Sequence, residues 1–145
     1  MDKEKRPLTI DDYEDIIAVW NASGLPTKPN GRDSRAMMAT EMAREFCTYL
    51  GILVDGKLVG VVICNFDGRH GWINRLAVDP GYQRMGLAGE LIEAARVWFA
   101  RFGDELVISA LIEEDNTPSR ECFARNGFHF HETITYWSKR PRPDL

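Results

Sequence analysis

Hydrophobic positions along this chain change period several times, and each change marks an element. Tyr13, Ile16, Ile17 and Trp20 recur at i, i+3, i+4 and i+7, which predicts a helix with one buried face. Thr9 and Asp12 stand three residues apart just ahead of it, the spacing of a capping box, and Ser23-Gly24 marks its end. Residues 25–33 hold two prolines and Asn30-Gly31 and read as a loop. A second helix is expected over 34–46, with Met37, Met38, Met42 and Phe46 on or near one face. Methionines there serve adaptable packing first and a substrate groove second.

The period then falls to two. Residues 48–55 and 58–66 are β-rich runs joined by Asp55-Gly56, a strong hairpin signal. Asp67-Gly68-Arg69-His70-Gly71 is a second turn, leading into a strand over 72–78, and residues 3–8 read as a short first strand. Pro80 pushes Asp79 out of helical geometry and Gly81 tolerates positive φ, so the strand breaks there. Helical spacing resumes at Leu87, Leu91, Ala94, Ala95, Trp98 and Phe102, and Gly103 is expected to close that helix as an αL-type cap. Residues 106–112 are apolar enough for a central strand, made parallel to the 72–78 strand by the helical crossover. Asn116 or Thr117 caps a short helix with Pro118 at its start and Gly127 at its end. A final strand or strand pair is expected over 128–137, followed by a frayed, polar, proline-rich tail over 138–145.

Composition narrows the class. With 145 residues, 44% hydrophobic and 28% charged, the chain reads as one ordinary globular domain over 1–145. A net charge of −4 disfavours a general nucleic-acid surface and mildly favours cationic substrates. No run of about 18 apolar residues predicts a membrane span, and MDKEKRPLTI lacks a secretory apolar core, so a cytoplasmic protein is expected. Cys47, Cys64 and Cys122 are odd in number and lack CxxC spacing, which indicates neither a disulfide framework nor a zinc site. His129 and His131 share a strand face but have no third ligand at suitable spacing, so no metal is expected.

The candidate chemistry lies between the strand over 72–78 and the helix that follows. Residues 83–88, QRMGLA, contain no β-branched residue and no carboxylate, so successive amides can face one concavity where a helix begins and an anion is stabilised. The stretch is neither a Walker loop nor the dinucleotide GxGxxG. It resembles the pyrophosphate loop of the GNAT superfamily of acyl-CoA-dependent N-acyltransferases, Gln/Arg-x-x-Gly-x-Gly/Ala, through Gln83, Gly86 and Ala88. Leu76-Ala77-Val78-Asp79-Pro80 resembles that family's fourth strand and its exit. Asn116, Ser119, Phe123, Gly127 and Phe128 resemble its N-x-x-A-x-x-x-Y-x-x-x-G-F stretch, with Ser for Ala and Phe for Tyr. The likeness spans roughly residues 8–137.

That resemblance implies a mixed α/β fold, a mostly antiparallel central sheet of about six or seven strands flanked by about four helices. It implies an acetyl-CoA-dependent N-acetyltransferase in which an amine, of a small molecule, a peptide N-terminus or a lysine, attacks the thioester directly. Leu76, Ala77 and Val78 would present backbone groups to the pantetheine and thioester, with a bulge near Leu76 and a splay from the next strand. Arg84, Met85, Gly86, Leu87, Ala88 and Gly89 would wrap the pyrophosphate, and Arg75 could also approach a phosphate. Asn116, Ser119 and Phe123 would border the pantetheine, although an Asn at that place serves equally as a plain helix cap.

The acid and base are less well matched. Deprotonating a lysine amine at pH 7 costs roughly 4 to 5 kcal/mol, an α-amine only about 1.4, so the need for a base depends on the acceptor. Leu111 and Asn74 occupy the positions where relatives place a Glu, and neither accepts a proton. Glu113, two residues beyond Leu111 on the same side of an extended strand, is the first candidate base, with Glu114 and Asp115 behind it. Phe123 replaces the usual acidic Tyr; a thiol leaving group needs only about 2 kcal/mol of help, which water, Cys122 or Tyr136 could give. A module of the same fold that binds or senses acyl-CoA without turnover is the alternative, motivated by Leu111 and Phe123. Exposure of the last strand makes a homodimer plausible.

Overall fold

The computed structural model describes residues 1–145 and contains one five-stranded sheet whose spatial order follows the chain. Its strands are β1 (Lys3–Pro7), β2 (Cys47–Val54), β3 (Lys57–Phe66), β4 (Gly71–Val78) and β5 (Ile108–Ala110). β1 to β4 pair antiparallel and β5 joins β4 in parallel, as a helical crossover requires. Four α-helices flank the sheet: α1 (Tyr13–Ala22), α2 (Arg35–Met42), α3 (Leu87–Phe99) and α4 (Thr117–Arg125).

Local chemistry explains most boundaries. Thr9 and Asp12 form the reciprocal capping box, and Ile16, Val19 and Trp20 then bury one face of α1. Asp55 at φ +49° and Gly56 at φ +83° turn β2 into β3 with both central residues left-handed, the turn whose twist matches a hairpin. The sheet has two apolar faces. Leu87, Leu91, Ile92, Ala95, Trp98 and Phe99 of α3 cover one, with Cys122 and Phe123 of α4. Ile16, Val19 and Trp20 of α1 and Met38 of α2 cover the other, against Tyr49, Val61, Ile63 and Ala77. Phe99 packs so closely on β4 that a Cβ added to Gly71 would sit 2.8 Å from its ring.

Four expectations are corrected. The sheet has five strands rather than six or seven, because residues 128–137 form no strand: Phe130, Ile134, Tyr136 and Trp137 are exposed and no ladder pairs them. Strand β5 spans three residues only, since β4 offers partners no further than Ile73, while Leu106 and Ile112 still pack on the core. Helix α2 ends at Met42, four residues early; Met38 is buried, whereas Met37 is exposed and Phe46 packs edge-on against Phe66 and Phe102. Gly103 has φ 147° and ψ 150°, so it closes a 3-10 turn (Ala100–Phe102) in a glycine-favouring extended conformation rather than in αL. No helix is long and apolar enough to cross a membrane.

Candidate functional site

Strand β4 carries two irregularities that open a wedge. Its parallel pairing with β5 covers only Gly71, Trp72 and Ile73, opposite Ile108, Ser109 and Ala110. Beyond Ile73 the β5-facing edge of β4, from Asn74 to Val78, has no strand partner. On its other side, Asn74 pairs with Ile63 and Ala77 with Val61, which leaves Arg75 and Leu76 together opposite Val62. That is a bulge at the expected place, with Arg75 at φ +50°.

The exit of β4 is pinned by its own residues. Asp79 Oδ1 accepts the Gly81 amide at 2.9 Å, the Tyr82 amide donates to the Asp79 carbonyl at 2.8 Å, and Gln83 Nε2 donates to the Val78 carbonyl at 3.2 Å. Lys57 lies 3.8 Å from Asp79 and 5.4 Å from the Tyr82 ring centre. Arg84 and Gly86 then take positive φ, +66° and +77°, and Gly86 is the N-cap of α3 without a side-chain hydrogen bond. The first backbone bond of the helix runs from Glu90 N to Gly86 O at 3.1 Å, so the amides of Leu87, Ala88 and Gly89 precede it at the positive end of the helix dipole. Glu90, the one acid in that turn, is held by Lys3 at 2.9 Å and Lys5 at 3.8 Å. An anion meets donors here rather than a free carboxylate.

Several expected site residues converge on this region. Leu76, Ala77 and Val78 form the end of β4; Arg84, Met85, Gly86, Leu87, Ala88 and Gly89 form the loop and first helical turn, with Arg84 exposed and Leu87 buried as a core anchor. Asn126, the C-cap of α4, approaches Gly89, its Nδ2 3.6 Å from where a Cβ would stand. Asn116 caps α4 by accepting the Ser119 amide at 3.2 Å, which is the plain structural role its residue type suggests. Phe123 is 5% exposed, its ring edge-on to Phe128 at 4.9 Å, so it packs the core beneath the wedge. Glu113 is exposed in the β5–α4 connection. Tyr136 is 67% exposed and makes no hydrogen bond. Burial pushes the Cys122 thiol up, away from thiolate character. His129 and His131 are exposed.

Arg75 departs from expectation. Its guanidinium turns to the α1 side of the sheet, 4.2 Å from the Trp20 ring centre, and Nη2 donates to the Pro26 carbonyl at 2.8 Å rather than toward the phosphate loop. A bulge shifts side-chain facing by one residue, and this redirection follows from it. Two further polar clusters escaped the sequence reading. Tyr49 hydrogen-bonds Glu41, and burial together with that carboxylate drives the phenol well above its usual range. His70 stacks on Trp72 and meets Ser109 Oγ at 2.7 Å, while Trp72 Nε1 donates to Asp67. Arg75 interrupting an apolar strand was the available signal for the first departure; the other two depend on pairings across 8 and 39 residues. A recess of about 340 Å³ beside Phe46 and Phe66 lies at the opposite end of the sheet from the loop.

Known proteins resemble this chain in sequence and fold. The family model for the acetyltransferase (GNAT) family matches residues 13–128, from the first residue of α1 to the one that packs on Phe123. An acetyltransferase of Photorhabdus laumondii is 23% identical over 137 residues, covering 94% of each chain. A mycothiol acetyltransferase of Clavibacter sepedonicus is 30% identical over 125 residues, and the match spans 83% of this chain but 40% of that protein. Among solved structures, the PaiA N-acetyltransferase of Thermoplasma acidophilum in complex with coenzyme A superposes with TM-score 0.80 at 20% identity, covering 92% of this chain and 94% of that one. Bulge, splayed strand and amide-lined helix start therefore sit inside a matched domain, and the chain is an acyltransferase that belongs to the GNAT acetyltransferase family.

Proposed function

We propose that this chain transfers the acetyl group of acetyl-CoA to a primary amine by direct attack on the thioester. The observation that carries this reading is the wedge itself: an unpaired edge of β4 beside a bulge, ending at free amides on a helix N-terminus. The edge from Asn74 to Val78 suits an extended pantetheine arm, which pairs with a strand through its amides. The loop of Arg84, Met85 and Gly86 with the Leu87, Ala88 and Gly89 amides suits the pyrophosphate. An amide of Leu76 or Ala77 at the bulge serves as oxyanion donor. The amine nitrogen bonds to the carbonyl carbon and loses a proton; the C–S bond breaks and the thiolate takes one up. Glu113 is assigned as base, directly or through one water.

The acceptor class, a small molecule, a peptide N-terminus or a lysine, belongs to this proposal, as does a cytoplasmic setting. Calorimetric titration with acetyl-CoA, beside dephospho-CoA and adenosine diphosphate, tests the cosubstrate. Saturable 1:1 binding supports it, and amine-dependent CoA release then identifies the acceptor; no binding at millimolar ligand overturns the assignment. The second reading is a module that holds acyl-CoA without turnover. Its supporting observations are the aliphatic, exposed Leu111 and the buried Phe123 at positions where relatives carry ionisable groups. Amine-dependent CoA release by the unmodified protein eliminates it.

A further inference from the structure

Residues 25–33 form the loop between α1 and α2 and hold a buried carboxylate. Asp33 is 4% exposed; its Oδ2 accepts the Lys28 amide at 2.7 Å and its carbonyl accepts the Tyr13 hydroxyl at 2.7 Å. Lys28 O in turn accepts the amides of Gly31 and Asp33 at 2.9 and 3.0 Å, so the loop is a small closed unit. The hydrogen bond and the ion pair that join this unit to the sheet both come from Arg75: Nη2 to Pro26 O at 2.8 Å and Nη2 to Asp33 Oδ2 at 3.7 Å. The guanidinium is sandwiched against Trp20, itself fully buried.

Two features set this strut apart from ordinary packing. Arg75 is also the positive-φ residue of the β4 bulge, so one residue shapes the bulge backbone and grips the loop on the other side. Arg75 Nε and Trp20 Nε1 are buried donors without acceptors, in adjacent stacked side chains. Native structures leave few such groups, and here they mark a contact held by geometry beyond its own hydrogen bonds.

We propose that Arg75 is a positioning residue that fixes the 25–33 loop to the β4 bulge, so that loop order and bulge occupancy form one linked equilibrium. The identity of the occupant as acetyl-CoA rests on the acetyltransferase reading; the strut does not. Coupling of this kind is reciprocal: a ligand that settles the bulge also settles the loop.

Arg75→Gly separates the two jobs of the residue, because glycine accepts φ +50° and carries no side chain. Hydrogen exchange of the full-length protein, read at the Lys28, Gly31 and Asp33 amides with and without saturating acetyl-CoA, gives the test. The expected result is exchange at least tenfold faster in Arg75→Gly at those amides, with β2 and β3 unchanged. Acetyl-CoA should slow the loop in the parent and not in the variant. Asp33→Asn should reproduce the loop effect, and the double variant should add little, as for partners in one contact. Arg75→Lys, which keeps the charge but not the planar fork, should fall between and serves if Arg75→Gly fails to fold. Loop exchange within twofold of the parent overturns the strut, and equal slowing by acetyl-CoA in parent and variant overturns the linkage. A parent that binds no acetyl-CoA defeats the acetyltransferase reading and the linkage together, while a tenfold loop effect still upholds the strut.

Discussion

Gly86 shows how a single position serves conformation and chemistry together. It caps α3 at φ 77° and ψ 11°, and a Cβ built on it meets nothing within 4 Å. Space is free there, so the demand for glycine is conformational, about 1–2 kcal/mol for any other residue. A longer side chain would project into the open mouth of the loop where the amides of Leu87, Ala88 and Gly89 converge. Gly86→Glu should therefore retain the fold and lose acetyl-CoA binding, by at least a hundredfold in calorimetry, because a carboxylate takes the place of the phosphate. Gly68→Glu, at φ +98° in the β3–β4 turn, likewise puts a side chain at positive φ but at the other end of the sheet, and should leave affinity unchanged. Unchanged affinity in a folded Gly86→Glu protein would place the phosphate elsewhere.

Elements with an internal reason to form were legible in the sequence, and elements defined by a partner were not. Helix α1 announces itself through Thr9, Asp12 and a 3.6-residue apolar stripe, and in the structure the capping box closes the 3-10 turn Ile10–Asp12 that leads into α1, with Thr9 Oγ1 accepting the Asp11 amide at 3.3 Å and Asp12 Oδ2 accepting the Thr9 amide at 2.9 Å. The β2–β3 hairpin is specified by Asp55-Gly56 alone. Residues 106–112 and 128–137 have equally strong strand composition, yet only Ile108–Ala110 pairs, because a ladder depends on where the neighbouring strand runs and β4 diverges after Ile73. The loop and wedge were read from a family resemblance. The course of Arg75 was hidden, since one bulge residue reverses facing. The capping box also carries a pH signature. Arg6 binds Asp12 through two hydrogen bonds, 3.0 and 2.9 Å, and holds its carboxyl below the ordinary value. A carboxyl lowered in the folded state stabilises above its unfolded pKa, near about 3.9, and loses that contribution as pH falls through the folded value. Asp12→Asn should cost about 1–2 kcal/mol at neutral pH, about 3 °C in Tm for each kcal/mol. The gap between parent and variant should narrow below about pH 4. A gap that stays constant down to about pH 2 would assign the effect to shape rather than charge.

At the scale of the whole molecule, an exposed apolar segment lies beside an unpaired outer edge of the sheet in sequence order, residues 128–137 following β5 and α4. Phe130, Ile134, Tyr136 and Trp137 are 73%, 71%, 67% and 87% exposed, and the outer edge of β5 pairs with nothing, while Val107 and Leu111 beside it stand 60% and 62% exposed. Charge favours bringing the two together: Asp104 and Glu105 precede β5, Glu113, Glu114 and Asp115 follow it, and the segment ends in Lys139, Arg140 and Arg142. A second copy would supply the missing partner if residues 128–137 of each chain paired along β5 of the other, and the mass in solution tests that pairing. Sedimentation should return twice the 16.5 kDa of one chain. Ile134→Lys with Trp137→Lys should halve the mass, since it puts one ammonium group on each face of the added strand, where burial would leave it without solvation. A parent protein that sediments at 16.5 kDa refutes the dimer, and protection of the 130–137 amides in that monomer would show the segment folded back on its own β5.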